Sequence, residues 1–144
     1  MKRSRWARAA GYVLLAAMLW AGPKDVGAYS VLTHQAIIDM SWNGVIRPLL
    51  LSRFPHATDA ELQSAHSYAY GGCAIQDAGY YPFSQEFFSD LTHYVRTGDF
   101  VESLLRNARN VDEYAFALGA LSHYVGDSIG HADAINPATA IEYP

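Results

Sequence analysis

The stretch from Leu118 to Ala134, LGALSHYVGDSIGHADA, places His123, Asp127 and His131 four residues apart in series. On an α-helix four residues advance about 400°, so the three side chains fan across roughly 80° of one face. The backbone rises by about 6 Å per step, which sets His123 and His131 about 12 Å apart along the axis. Imidazole nitrogens bind zinc at about 2.0–2.1 Å, so these two do not easily meet on one ion. Asp127 lies between them and has two oxygens. The economical expectation is a multinuclear metal site with Asp127 shared, its closest ions roughly 3.5–4 Å apart. A merely solvated helix face would carry Lys, Arg and Glu at i, i+4 spacing. Between Glu113 and Asp127 there is no charged residue, and Ala117, Ala120, Leu121 and Val125 surround the ligand stripe.

Around this helix the other segments also read as helical. VLTHQAIIDMSW forms one helix, capped at Ser30 or Thr33 and broken at Asn43-Gly44. VIRPLLLSRF follows, with Pro48 near its start and Pro55 at its end. Thr58 and Glu61 make a capping box for a helix that runs on past Gly71-Gly72 to Asp77. Two interior glycines cost about 1 kcal/mol each, and such a pair marks a kink or the close approach of another element. Ser84 caps QEFFSDLTHYVR, which holds His93 and stops at Thr97-Gly98. A short helix, FVESLLRNAR, leads to Asn110, which caps the ligand helix with Glu113. No strand pattern or repeat appears, so the fold class is all-α, a helical bundle with inward His and Asp.

The first 28 residues read as a leader. MKRSRWAR is a basic start, AAGYVLLAAMLWAG is an apolar run short for a membrane span, and Val26-Gly27-Ala28 is a small-residue cleavage site. Cleavage would leave a domain of residues 29–144, secreted or periplasmic, beginning at Tyr29. That body has five arginines, no lysine and thirteen acids, a balance of −8. Such a charge argues against a general polyanion binder and suits a pocket for several divalent cations. Cys73 is the only cysteine and reads as a small buried residue, so disulfides hold nothing together. The ligand candidates are therefore His34, Asp77, His93, His123, Asp127 and His131. His56 reads as exposed and His66 as an ordinary helix residue.

With the motif HYVGD at its centre, the mature chain resembles the zinc-dependent phospholipase C family and its relatives, the secreted single-strand-specific zinc nucleases. In that family the mature N-terminal aromatic residue binds zinc through its amine and carbonyl, and the nuclease branch has a His five residues later. Tyr29 and His34 match that spacing. The resemblance implies a helical bundle with up to three zinc ions. Asp77, His93, His123 and Asp127 would hold one, Tyr29 and His34 with the second oxygen of Asp127 another, and His131 would serve the third. It also implies hydrolysis of a phosphodiester by metal-activated water, with Asp77 as the catalytic residue that orients or deprotonates it. The substrate would be a phospholipid head group or another phosphodiester, reached through transient contact with a membrane surface. Nucleic acid would be the partner if the chain is a zinc nuclease, and a non-catalytic metal-binding scaffold is the third alternative. Three departures stand out. Tyr replaces the usual Trp at position 29, His131 follows Asp127 by four residues rather than six, and two downstream ligands lie beyond Pro144, so the chain is expected to be a truncated one. The aromatics Tyr80, Tyr81, Phe83 and Tyr94 could stack on bases or line an acyl or choline pocket, but core packing is the preferred expectation.

Overall fold

The computed structural model describes residues 31–142, which are helical and contain no strand. Tyr29 and the leader lie outside the described residues. Helix α1 (Val31–Ser41) passes through a π-helical turn, Trp42–Ile46, into α2 (Arg47–Arg53). Asn43-Gly44 therefore does not break the chain as expected. The reason is Pro48, which cannot donate a hydrogen bond and whose ring crowds the carbonyl four residues back. The wider turn relieves this, because the Arg47 N–H reaches past that position to the Trp42 carbonyl. Pro137 repeats the device. α6 (Val111–Gly130) leads through the π turn His131–Ile135 into α7 (Asn136–Glu142), with the Asn136 N–H on the His131 carbonyl.

α3 (Asp59–Ala74) starts at the expected capping box. Thr58 Oγ1 accepts from the Glu61 N–H at 3.3 Å and Glu61 Oε2 accepts from the Thr58 N–H at 2.8 Å. Asn110 caps α6 by accepting from the Glu113 N–H at 2.9 Å, while the Glu113 carboxylate reaches back to the Arg109 N–H at 2.7 Å. Two expectations fail between these helices. Ser84 caps nothing. Its N–H closes a turn on the Tyr81 carbonyl, and α4 (Glu86–Asp90) begins after Gln85, whose side chain makes no cap. Thr97-Gly98 opens α5 (Thr97–Asn107) instead of ending the previous helix, because the break falls one residue earlier, at Arg96 (φ −130°, ψ 28°).

α3 and α6 form the central pair. Their seam is built from small residues at helical spacing, Ala65, Ala69, Gly72 and Cys73 against Ala115 and Gly119. A Cβ on Gly72 would stand 2.0 Å from the Phe116 carbonyl oxygen, and one on Gly119 2.1 Å from that of Ala69. Gly72 is thus the close approach that the glycine pair announced, whereas Gly71 meets only the edge of the Phe116 ring at 3.5 Å. Around the seam Ile38, Trp42, Ile46, Leu50, Leu62 and Leu118 complete the apolar core. Arg53 ties α2 to the end of α5. It donates to the Ala108 carbonyl at 2.8 Å and lies 4.4 Å from the Tyr114 ring centroid.

Candidate metal centre

His123 continues the seam stripe of α6 one turn beyond Gly119, so its ring meets the end of α3. A helix leaves its last carbonyls without partners in the helix, and His123 Nδ1 lies 2.7 Å from one of them, that of Cys73. His93 sits in the π turn Leu91–Val95, and its Nδ1 lies 2.8 Å from the Ser89 carbonyl. A carbonyl only accepts, so both Nδ1 atoms carry a proton, and each ring in its neutral form presents an Nε2 lone pair. Yet the two Nε2 atoms stand 3.0 Å apart, facing carboxylates that also only accept. This arrangement calls for a positive charge between them. Two imidazoles oriented by carbonyls, with their other nitrogens converging, is the usual preparation of metal-binding histidines.

The distances fit zinc. Tetrahedral bonds of about 2.0–2.1 Å give ligand–ligand edges of about 3.3–3.4 Å. Here His93 Nε2 is 3.3 Å from Asp77 Oδ1 and 3.5 Å from Asp127 Oδ2. His123 Nε2 is 3.2 Å from Asp127 Oδ2 and 4.0 Å from Asp77 Oδ1. Asp77 enters from a 3₁₀ turn, Gln76–Tyr80, that ends α3. The other oxygen of Asp127 turns the opposite way. Oδ1 lies 3.4 Å from His34 Nε2, on α1, and 3.7 Å from His131 Nε2. Each oxygen of Asp127 thus faces its own pair of imidazoles. His34 stacks on His123 with ring centroids 4.0 Å apart, and His34, His123 and Asp127 form a second group with metal-ligand character. The six described candidates from the sequence come together. His131 stands at the rim, one third exposed, while His34 and His123 are fully buried.

The electrostatics match this geometry. Burial pushes the Asp127 carboxyl up, but the hydrogen bonds and charge of His123 and His34 outweigh it and hold the group well below the usual carboxylate range. For His93 burial opposes the charged form, and the Asp77 hydrogen bond, the Ser89 carbonyl and the charges of Asp77 and Asp127 together raise its pKa. Both groups attract positive charge, whether a proton or a metal ion. Burial pushes the Cys73 thiol up to about 11, so that residue is an inert part of the core, as expected.

Two supporting residues went unnoticed in the sequence. Ser89, fully buried, accepts the Gly79 N–H on its hydroxyl at 2.8 Å while its carbonyl orients His93, so it locks the Asp77 turn to the His93 helix. Its position four residues before His93 was the available signal. Gly126, inside HYVGD, leaves room for α1, since a Cβ there would lie 3.2 Å from Ile37 Cδ1 and 3.5 Å from His34 Nδ1. His66 belongs elsewhere, stacked between Trp42 and Tyr70 and 3.3 Å from Asp39. The Tyr70 hydroxyl donates to Asp39, which pushes its pKa up to about 12.

The cluster opens into a cleft of about 860 Å³, walled by Asp77, His93, Asp127 and His131 with Tyr80, Tyr94 and Tyr124. Glu86 and Asp90 also line it, and among the described residues no Lys or Arg does. The expectation that Tyr80, Tyr81, Phe83 and Tyr94 pack in the core is wrong, because all four are exposed. They stand between or beside Asp77 and His93 in the chain, and the Tyr80 and Tyr94 rings lie 5.6 Å and 5.8 Å from that of His93. A model of the family described as zinc dependent phospholipase C matches residues 33–144. No curated protein and no solved structure matches the chain.

Proposed function

The chain belongs to the zinc-dependent phospholipase C family, and from that premise we propose that it hydrolyses the phosphodiester bond of a phospholipid head group. The observation that carries this reading is the convergence of Asp77, His93, His123 and Asp127, with ligand atoms 3.0–4.0 Å apart, behind an open cleft whose wall includes Asp77, His93 and Asp127. These four would hold one zinc ion, and His34 and Asp127 would help to hold a neighbour, with His131 at the rim and Tyr29, outside the described residues, as a further candidate. When bound, zinc supplies Lewis acidity to a phosphoryl oxygen and brings the pKa of water from 15.7 to about 7. Asp77 is placed to orient the attacking water or accept its proton, since its carboxylate lies on the cleft wall beside His93. Tyr80, Tyr94 and Tyr124 bound the space that the rest of the substrate would occupy. A cleft lined by acids and tyrosines without one Arg or Lys suits a lipid head group better than a polynucleotide, whose phosphates call for cations along the groove.

Assay of the full chain with added zinc, on phosphatidylcholine and on single-stranded DNA, tests this. Release of the phosphorylated head group, abolished by chelator, is expected. Cleavage of DNA alone would make the protein a nuclease, and turnover of neither would leave a metal-binding scaffold. We also propose export, from the basic, apolar and small-residue pattern of residues 1–28. Intact mass of the exported protein should correspond to a start at Tyr29. A start elsewhere would remove Tyr29 as a ligand candidate.

A further inference from the structure

We propose that the segment Tyr80 to Val95 is a docking surface for a lipid bilayer whose outermost charges are ammonium groups, as in zwitterionic choline or ethanolamine lipids. The proposal rests on the phospholipase reading for its choice of a lipid partner. Its physical basis is the segment itself. Tyr80, Tyr81, Phe83, Phe87, Tyr94 and Val95 are all exposed, with Phe87 at 75% and Tyr94 at 78%. Tyr80 and Tyr94 are also cleft walls, so the patch is continuous with the entrance to the metal cluster. Phe87 follows Glu86, a cleft residue, on the same short helix.

Phe83 is the most telling residue. The Ser84 N–H closes a turn on the Tyr81 carbonyl at 3.1 Å, with Pro82 second and Phe83 third. Phe83 has φ 69°, the one positive value on a non-glycine among the described residues. This is the pattern of a type II turn, whose third position suits glycine. A phenylalanine there costs on the order of 1 kcal/mol in backbone strain, and this one, fully exposed, gives the core nothing in return. The turn holds an aromatic ring out in solvent, three residues along the chain from Tyr80 of the cleft wall. Aromatic rings of this kind partition to the interface of a bilayer.

Charge selects the lipid. From residue 54 to residue 95 there is no Lys or Arg, while Glu86 and Asp90 stand on the cleft rim. An anionic surface would be repelled, and one whose outer charges are ammonium groups would be attracted. Attachment would be peripheral, since no described helix is long and apolar enough to cross a membrane.

The test is flotation of the full zinc-loaded chain with vesicles of a non-hydrolysable phosphonate analogue of phosphatidylcholine, alone or with one third phosphatidylglycerol. The neutral vesicles should capture the protein more strongly. The double variant Phe83→Ala/Phe87→Ala should weaken capture about tenfold or more, as loss of two partitioned rings implies. Met40→Ser, removing an exposed apolar side chain on α1, should not. In parallel, a short-chain phosphatidylcholine below its micelle threshold should be hydrolysed equally well by the double variant. Stronger capture by anionic vesicles, undiminished capture of the double variant, an equal loss in Met40→Ser, or a dimer that the double variant dissolves would each overturn the proposal. If the two rings govern capture while neither lipid is hydrolysed, the docking surface stands and the phospholipase reading fails. If monomeric lipid is hydrolysed and capture ignores the rings, the reverse holds.

Discussion

Asp127→Asn should cost the protein more bound zinc than His131→Ala, with a fall in melting temperature to match. Asp127 presents Oδ2 to His93 and His123 and Oδ1 to His34 and His131. An amide keeps one acceptor oxygen, loses the negative charge and turns a donor toward one of the two pairs, so both groups are disrupted at once. His131 approaches Asp127 Oδ1 at 3.7 Å from the rim, where it is one third exposed. A site occupied at about 100 times its dissociation constant adds about 2.7 kcal/mol to stability. For a helical body of this size that corresponds to roughly 10 °C in melting temperature. Chelator should produce a comparable fall in the unaltered protein, and zinc should reverse it, because Asp77 and Asp127 repel each other when no cation lies between them. Atomic spectroscopy and calorimetry on the two variants are the measurements. Equal zinc loss in His131→Ala would refute the two-sided role of Asp127.

The second large effect belongs to the seam. Gly119→Ala should destabilise the fold by about 3 kcal/mol or more, and Gly72→Ala by a similar amount, well above the usual range for adding one methyl group. The added Cβ would meet backbone oxygens at 2.1 Å and 2.0 Å, where no side chain can swing aside. The two central helices would have to part by an ångström or more. Gly119→Ala should also weaken zinc binding, since parting the helices draws His123 off the Cys73 carbonyl. Gly98→Ala is the control. Nothing lies within 4 Å of its added Cβ, so it should be neutral or stabilise by up to about 1 kcal/mol. Denaturant titration of the three variants checks this. A Gly119→Ala protein as stable as the Gly98→Ala one would show that the helices pack less closely than described.

Much of this was legible because it is local. Thr58 with Glu61 and Asn110 with Glu113 announced their helix starts through side chains that bond their own backbone within four residues. Pro55 ended α2 for an equally local reason, the restriction on the residue before it. Asn43-Gly44, Ser84 and Thr97-Gly98 misled because each is a weak preference that a neighbour outweighs. Pro48 demanded a wider turn that carried the helix through Asn43-Gly44. The turn at Tyr81 took the Ser84 N–H, and the break at Arg96 came before Thr97. The aromatic segment was misjudged because composition counts apolar side chains and does not say which way a turn points them.

By itself the sequence determined the helices and the residue types of the site, since periodicity, capping and four-residue ligand spacing are properties of one helix at a time. It also raised the expectation that Asp127 is shared, from its place between two histidines that no single ion could easily bridge. Only the tertiary structure decided how the ligands are aimed. His93 and His123 owe their tautomers to the carbonyls of Ser89 and Cys73, one four residues away and the other fifty. The second contact exists because two glycines let α3 and α6 come close enough for a ring on one to reach the end of the other. A spacing rule cannot supply that, because it depends on the distance between two backbones and not on the order of residues along either.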